Sequence, residues 1–421
     1  MVESGIFILW NHTNGFDTKH KRFMEIRTLI SYLQSANINF LIGSGASRPF
    51  LGTLGKVEEW LTKVSADKTL DDNQKKLFLA SVYRAYCLKA IIGNYTKSPS
   101  EKYKDALNAY ANLLSMLNEI VNKRGSRLIS KQVNLFTTNV DTLIENAAEG
   151  LAIEFNDGFR GSIRQVFDES NFRKSISKTS LHFQSVAELP VFNLYKMHGS
   201  INWSVLPVGK VGNDYQLSLV KTVNEELNKI DKANFVETEY DDSGTMKPYE
   251  YDELVKKVKV KSTGITDYSQ YQPFLDNYEN FIMVNPTKHK FQVTVMDMHF
   301  YELMRLYSNS LEKENSILFV LGFSFADEHI ARLTMRAADS NPTLQIVIFA
   351  FSDSEVESFK KNLQISDTSL NSNVVIITPS VLKRANKDYA DKLSTINNFS
   401  LASVNTVFDI IKNSIPNRYG K

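Results

Sequence analysis

Three side chains set the chemistry this chain can attempt. Asn139 and Asp141 stand two residues apart in Thr137-Thr138-Asn139-Val140-Asp141, and His198 opens His198-Gly199-Ser200, each just past an apolar run of strand character. Histidine is the side chain whose proton affinity suits general-base work near neutral pH. An asparagine and an aspartate beside it would hold a substrate's hydroxyl and amide groups in a reactive geometry. Two further turns carry glycine and serine, Gly43-Ser44-Gly45-Ala46-Ser47 and Gly322-Phe323-Ser324. Glycine admits positive φ and leaves no Cβ in the way, so the first turn can bring backbone N–H groups against a phosphate.

Taken singly, each turn has a plainer explanation. The first lacks the third glycine of a dinucleotide fingerprint, because Arg48 stands in its place, and it lacks the lysine of a P-loop. A tight strand-to-helix turn without a ligand would look the same. Asp141 is a natural helix cap, and a lone histidine is more often a hydrogen-bonded structural residue than a base. Capping does not explain why Asn139 and His198 recur at matching places after two apolar strands. Taken together, the four turns point to the crevice beyond the carboxyl ends of an open α/β sheet.

The elements that must carry these turns alternate along the chain. Apolar spacing predicts a helix over 23–33, a strand over 38–42, and three amphipathic helices over 54–64, 75–92 and 103–121. A strand over 133–136 and a helix over 142–148 follow, then strands over 152–155 and 191–197. From 204 to about 280 the chain is polar and weakly patterned, and reads as a lid-like insertion. Strands over 281–284, 317–321 and 344–351 alternate with helices over 297–311 and 327–338. Ser400 caps a last amphipathic helix carrying Val404, Val407, Phe408 and Ile411, which either packs on the body or mediates assembly.

This order predicts an α/β fold: a Rossmann-like, doubly wound, mainly parallel sheet with a helical insertion over 54–124 and a polar one over 204–280. Residues 1–36 form an N-terminal segment and helix, 37–385 the domain that holds the site, and 386–421 a helical tail.

Composition sets limits. With 49 basic and 47 acidic residues the net charge is +2, so no overall field draws the chain to nucleic acid or to an anionic membrane. The best local basic run, Lys256, Lys257, Lys259 and Lys261, alternates with Val258 and Val260 and reads more simply as a solvated edge strand. The apolar run over 6–10 is too short for a signal-peptide core, and no stretch approaches the roughly twenty apolar residues of a membrane span. A cytoplasmic protein is the expectation. Cys87, the single cysteine, excludes an intramolecular disulfide and a multi-cysteine zinc site; it lies in a helical run and reads as a buried apolar residue. Asp297 with His299, or His12 with His20, are too few to hold a metal.

The four turns, in this order, resemble the motifs of sirtuins, the silent-information-regulator family of NAD-dependent enzymes. Gly43-Ser44-Gly45-Ala46-Ser47 is similar to their G-A-G-x-S loop, Thr138-Asn139-Val140-Asp141 to T-Q-N-I-D, His198-Gly199 to the H-G pair, and Gly322-Phe323-Ser324 to G-T-S. The resemblance implies that Gly43, Ser44, Gly45, Ala46 and Ser47 hold the diphosphate of NAD. Asn139, beside Thr138, would lie at the nicotinamide ribose, Asp141 at the carboxamide, and His198 would be the general base. Gly322 and Ser324 would line the adenosine half; Asp353 and Ser352, by position alone, are candidates for its ribose.

Departures from the pattern are informative. Thr138 replaces the usual glutamine, and the four-cysteine zinc module is absent, which disfavours protein deacylation while leaving glycosidic chemistry intact. The segments 283–290 and Asn156-Asp157-Gly158-Phe159 resemble the zinc-free bacterial branch associated with antiphage defence, in which NAD is destroyed. The chain is also similar to the partners of HerA-type hexameric ATPases. The resemblance thus implies an NAD glycohydrolase releasing nicotinamide and ADP-ribose or its cyclic form, with NAD as substrate and no zinc. Homo-oligomeric assembly or an ATPase partner would restrain it. The alternative is a non-catalytic sensor of NAD or an ADP-ribose-type ligand that gates assembly.

Overall fold

Seven short runs, most of them rich in β-branched and aromatic residues, form a single parallel sheet: β1 (Asn37–Ile42), β2 (Gln132–Thr137), β3 (Glu154–Asn156), β4 (Val191–Lys196), β5 (Ser316–Leu321), β6 (Gln345–Phe349) and β7 (Val374–Ile377). The computed structural model describes residues 25–52, 56–96, 100–124, 129–182, 185–242, 245–284, 298–365 and 373–416. The strand order is β7-β6-β5-β1-β2-β4-β3, and every neighbouring pair is parallel. Every residue of β4, β5 and β6 is buried, as a sheet covered on both faces requires. The chain winds outward from β1 through β2 to one side and returns at β5 on the other. The ends of β1 and its neighbours are therefore a topological switch point, where α/β sheets take their ligands.

The pleat divides the core. Ile38, Phe40 and Ile42 of β1 join a cluster with the Ile26–Ser35, Glu101–Asn122 and Leu401–Ser414 helices, whereas Leu41 faces the Met298–Glu312 and Glu328–Ser340 helices. The last helix is capped by Ser400, whose Oγ accepts the Ser403 N–H at 3.3 Å. Its Phe408 ring lies 5.9 Å from Phe40 and 5.5 Å from Phe319, so the tail belongs to the core of this layer.

One polar row crosses the sheet. Asn39, Asn134, Asn193 and Asn156 stand in register on β1, β2, β4 and β3. Their amides bond in series, Asn134 Nδ2 to Asn39 Oδ1 at 2.9 Å, Asn193 Nδ2 to Asn134 Oδ1 at 3.1 Å and Asn156 Nδ2 to Asn193 Oδ1 at 3.1 Å. An amide carries both donors and an acceptor, so a row of them satisfies itself where a hydroxyl or charge would not.

Beside the sheet, the helices Val57–Ala66 and Asp72–Tyr86 pack with three helices of the polar stretch, Ser218–Lys229, Tyr251–Ser262 and Gln272–Glu279. Their apolar faces form one cluster, in which the Tyr83 and Tyr278 rings stack at 4.0 Å and the Phe78 and Tyr251 rings approach to 5.7 Å. The weak patterning expected over 204–280 thus conceals real helices, and two insertions far apart in sequence share a core.

The lysine run at 256–261 is helical and not an edge strand. Leu254, Val255 and Val258 make the buried face at helical spacing, Glu250 and Glu253 supply the capping box, and Val260 is exposed. Residues 281–284 do not join the main sheet either. They make a single antiparallel bridge, Met283 with Gly199, which carries them against the His198 turn. The expected helix over 75–92 ends at Tyr86 and continues as a π turn, Cys87–Ile91, with Cys87 fully buried and its thiol pushed well up by burial. No expected strand corresponds to β7. Residues 6–10, His12, His20, Asp297 and 285–290 lie outside the described residues. None of the helices among the described residues is long and apolar enough to cross a membrane.

Candidate active site

The turns that carry the candidate residues follow β1, β2, β4 and β5, which are adjacent in the order β5-β1-β2-β4. All four open at the carboxyl edge of the sheet. The first and last interlock: the Gly43 N–H donates to Leu321 O and the Gly45 N–H to Gly322 O, both at 2.9 Å. A Cβ on Gly45 would stand 2.8 Å from Gly322 O. One on Gly322, at φ +61°, would stand 2.1 Å from Ala46 N. Glycine is therefore required by the close approach of two backbones. The N–H groups of Gly43 and Gly45 are already spent on carbonyls and are not the free phosphate donors that the sequence alone led us to expect. Ser44 stays half-buried on this turn, while Ala46 and Ser47 are buried.

The turn after β2 is held by a chain of short polar contacts. Thr137 Oγ1 donates to Ile42 O at 2.9 Å and accepts the Asn139 N–H at 3.0 Å; the half-buried Thr138 donates its N–H to Ile42 O at 3.3 Å. Asn139 Nδ2 donates to Gly43 O at 3.2 Å and to Ser47 Oγ at 3.3 Å. Ser47 Oγ in turn donates to Asp141 Oδ2 at 3.1 Å and lies 3.0 Å from the Tyr110 hydroxyl. The other oxygen of Asp141 accepts the Leu143 N–H at 3.0 Å at the start of the Leu143–Glu149 helix. Capping thus accounts for one oxygen of Asp141, and the glycine turn takes the other. Burial, with Asp141 nearby, pushes the Tyr110 hydroxyl far above its ordinary value, so it remains a neutral donor.

Asn139 Oδ1 is buried and has no protein partner. A buried acceptor left unmade costs about 1–3 kcal/mol, so Asn139 Oδ1 is an acceptor open to a donor from outside the protein. A ribose hydroxyl is such a donor, and the residues around Asn139 fit an NAD ribose in this respect.

His198 meets a residue that sequence reasoning missed. Its Nε2 lies 3.2 Å from Asp327 Oδ2, while Asp327 Oδ1 caps the Glu328–Ser340 helix by accepting the His329 and Ile330 N–H groups at 3.0 and 3.1 Å. Burial pushes the Asp327 carboxyl up, but the His198 ring and the capping N–H groups outweigh it and hold the carboxyl down at about 2. The histidine turn is pinned as well. Gly199 sits at φ +75°, and a Cβ there would stand 2.1 Å from Ile282 O; the Val284 N–H donates to His198 O at 2.8 Å.

Beneath the Asn139 turn lies Lys196, only 4% exposed. Its Nζ donates to Asn139 O at 3.3 Å and to Asp141 O, and pairs with Glu145 Oε1 at 3.1 Å. Lys196, Glu145, Asp327 and Tyr110 all escaped the sequence reading. Lys196 had a visible signal, as the one charge in the strand Val-Phe-Asn-Leu-Tyr-Lys, and Asp327 had a cap signal; nothing local marks Tyr110.

The adenosine-side candidates are less concentrated. Gly322 and Ser324 are exposed on the β5 loop, where Ser324 O accepts Asn362 Nδ2 at 2.8 Å. Asp353 follows β6, is exposed, and accepts Ser380 Oγ at 2.5 Å, which with Thr378 holds its carboxyl below the ordinary range. Ser352 is engaged with Ser354 at 2.8 Å. His299 pairs with Glu169 at 3.0 Å.

A seven-stranded parallel sheet with its polar side chains gathered at the switch point defines a Rossmann-like α/β protein. Residues 133–371, more than half of the chain, match the family model of the SIR2-like domain, and the chain belongs to this family of NAD-dependent enzymes. No curated protein matches the chain. The matched span includes Asn139, Asp141, His198, Gly322 and Ser324 but stops short of Gly43–Ser47. It is the fold that joins this turn to the rest, through the Gly45–Gly322 and Ser47–Asp141 bonds.

Proposed function

We propose that the protein hydrolyses the bond between nicotinamide and ribose in NAD. The observation that carries this reading is the buried, unpartnered Oδ1 of Asn139 on the turn bonded to that of His198, where the Ile201 N–H donates to Val140 O at 3.0 Å. When NAD is bound, its cationic nicotinamide is the leaving group: the glycosidic electron pair departs with it, positive charge develops on the ribose carbon, and either a water oxygen bonds there to give ADP-ribose or a nitrogen of the molecule's own adenine does so to give the cyclic form.

The chain's own residues have separable tasks. Asn139 Oδ1 accepts a ribose hydroxyl and orients the sugar. Asp327 engages His198 Nε2 and so selects the tautomer with the proton on that nitrogen, which leaves Nδ1 as the basic lone pair. Nδ1 then takes the proton from a ribose hydroxyl or from the attacking water; a positioned base contributes on the order of 10²- to 10⁴-fold. Ser47 and Tyr110 fix Asp141, on the nicotinamide side. The exposed Gly322 and Ser324 loop receives the adenosine half.

The test is to incubate the purified protein with NAD and separate the products by chromatography and mass spectrometry. Equimolar nicotinamide and ADP-ribose, or its cyclic form, are expected from the native chain and not from His198→Ala. NAD left intact, alone and with a hexameric ATPase partner added, would sink the enzyme and leave a binding module. The sequence resemblance extends the reading to NAD depletion in antiphage defence by a cytoplasmic homo-oligomer. Loss of cellular NAD on infection, abolished by His198→Ala, is the corresponding result in cells.

A further inference from the structure

We propose that Lys196 is the positioning residue of this site, its buried ammonium clamping the turn that carries Asn139 and Asp141; the proposal rests on the NAD-cleaving reading. Every residue of β4 is buried, and a cation in such a strand is costly unless its hydrogen-bonding capacity is filled. An ammonium has three donors and no acceptor. Lys196 finds three acceptors: the carbonyls of Asn139 and Asp141 and the Glu145 carboxylate. Two of the three are backbone oxygens of the one turn that presents the ribose-side residues. A counter-ion for Glu145 alone would not need them, and a core filler would not need a charge.

The same residue holds the second turn. The Gly199 N–H donates to Lys196 O at 3.0 Å and closes the bend that exposes His198, so one residue fixes Asn139 and Asp141 through its side chain and His198 through its backbone. Glu145 extends the clamp into the first turn of the helix that Asp141 caps. Asp157, in the Asn156-Asp157-Gly158 turn, also feels the Lys196 charge, which opposes the rise that burial imposes on its carboxyl. The second carboxylate oxygen of the half-buried Glu145 has no protein partner, and Lys196 opposes the rise that burial imposes on its carboxyl.

Misplacement of reacting groups by about 1 Å can cost on the order of 10²-fold in rate with little change in affinity. Lys196→Met would leave the half-buried Glu145 unpaired, so the decisive protein is the double variant Lys196→Met with Glu145→Gln, which removes both charges. It is expected to fold, to exchange the amides of residues 138–143 at least about tenfold faster than the native chain while β1 and β5 are unchanged, and to release nicotinamide with kcat lowered about 10²-fold and KM within about threefold. A double variant with native exchange over this turn and native kcat overturns the proposal. So does one that fails to fold, because the pair is then a requirement of the fold and not of the site. If the native chain releases no nicotinamide, the function reading fails separately, and exchange over 138–143 decides the clamp alone.

Discussion

Nε2 of His198 lies 3.2 Å from Oδ2 of Asp327, although the strands preceding them, β4 and β5, are separated in the sheet by β1 and β2. Adjacent strands are about 4.8 Å apart, so the pair spans three such spacings, roughly 14 Å. The loops can meet only by reaching over the ends of β1 and β2, where Ser47 and Asn139 lie. The contact therefore spans the strand ends, and it joins His198, the proposed base, to the N-cap of the Glu328–Ser340 helix.

Asp327 does two things, and an amide can do only one of them. Asp327→Asn keeps an oxygen for the His329 and Ile330 N–H groups but cannot stabilise a positively charged His198. Nicotinamide release is expected to fall about 10- to 100-fold, and the loss of stability to be confined to the charge of the carboxylate, since the capping oxygen is kept. Asp327→Ala loses the cap as well, at about 1 kcal/mol. An amide variant with native kcat would show that His198 works without its carboxylate.

The same pair makes stability depend on acid. The Asp327 carboxyl is depressed from 3.8 to about 2, so its contribution is present above the unfolded value and is lost as pH falls through the folded one. The window is therefore about pH 4 down to about pH 2, and the stake is on the order of 2 kcal/mol. Urea unfolding of the native chain and of Asp327→Asn should differ at pH 5 and converge at pH 2. A gap that persists at pH 2 would assign it to the cap geometry and not to the charge.

Gly322→Ala tests the interlock between the β1 and β5 turns. The new Cβ meets Ala46 N at 2.1 Å, and the backbone already sits at φ +61°. A strained position of this kind costs on the order of 1–3 kcal/mol, read as a lower unfolding midpoint. Turnover should fall with it, since Ser47 moves with Gly45 and Ala46. Gly209→Ala is the control, because it also has positive φ, +68°, but its Cβ meets nothing within 4 Å. It should lose stability and keep kcat.

The turns at strand ends were legible in the sequence because each pairs a short apolar run with polar residues at its exit, and both signals are local. Ser400 and the helix it caps were legible for the same reason. What was not legible depends on partners far away in the chain. The Tyr251–Ser262 helix shows an alternating Lys-Val-Lys-Val-Lys surface that mimics a strand; the Glu250–Glu253 capping box and the burial of Leu254, Val255 and Val258 in one cluster with the Asp72–Tyr86 helix make it a helix. Tyr110 and Asp327 reach the site from a helix face and a helix cap, and the glycines of 43–47 are required by the close approach of the Gly322 backbone. A sequence reading sees which residues can make a tight turn, but not what the turn approaches.

Ser47 is the junction of the site, bonded to Asn139, Asp141 and Tyr110 at 3.3, 3.1 and 3.0 Å, so its neighbours should be energetically coupled. Tyr110→Phe keeps the ring in the core and removes only the hydroxyl, at about 1 kcal/mol. Ser47→Ala removes the acceptor for Tyr110 and Asn139 and the donor to Asp141, and should cost more in both stability and kcat. Because the tyrosine hydroxyl loses its Ser47 contact once Ser47 is gone and keeps only the Asn139 side chain beside it, the double variant should be less destabilised than the sum of the two single variants, with a coupling of at least about 0.5 kcal/mol. Unfolding midpoints and nicotinamide release for the four proteins measure it. Strict additivity would mean that Tyr110 fills space above the turn without steering Ser47, and the chain of bonds from the Glu101–Asn122 helix to Asp141 would then carry no orientation to the site.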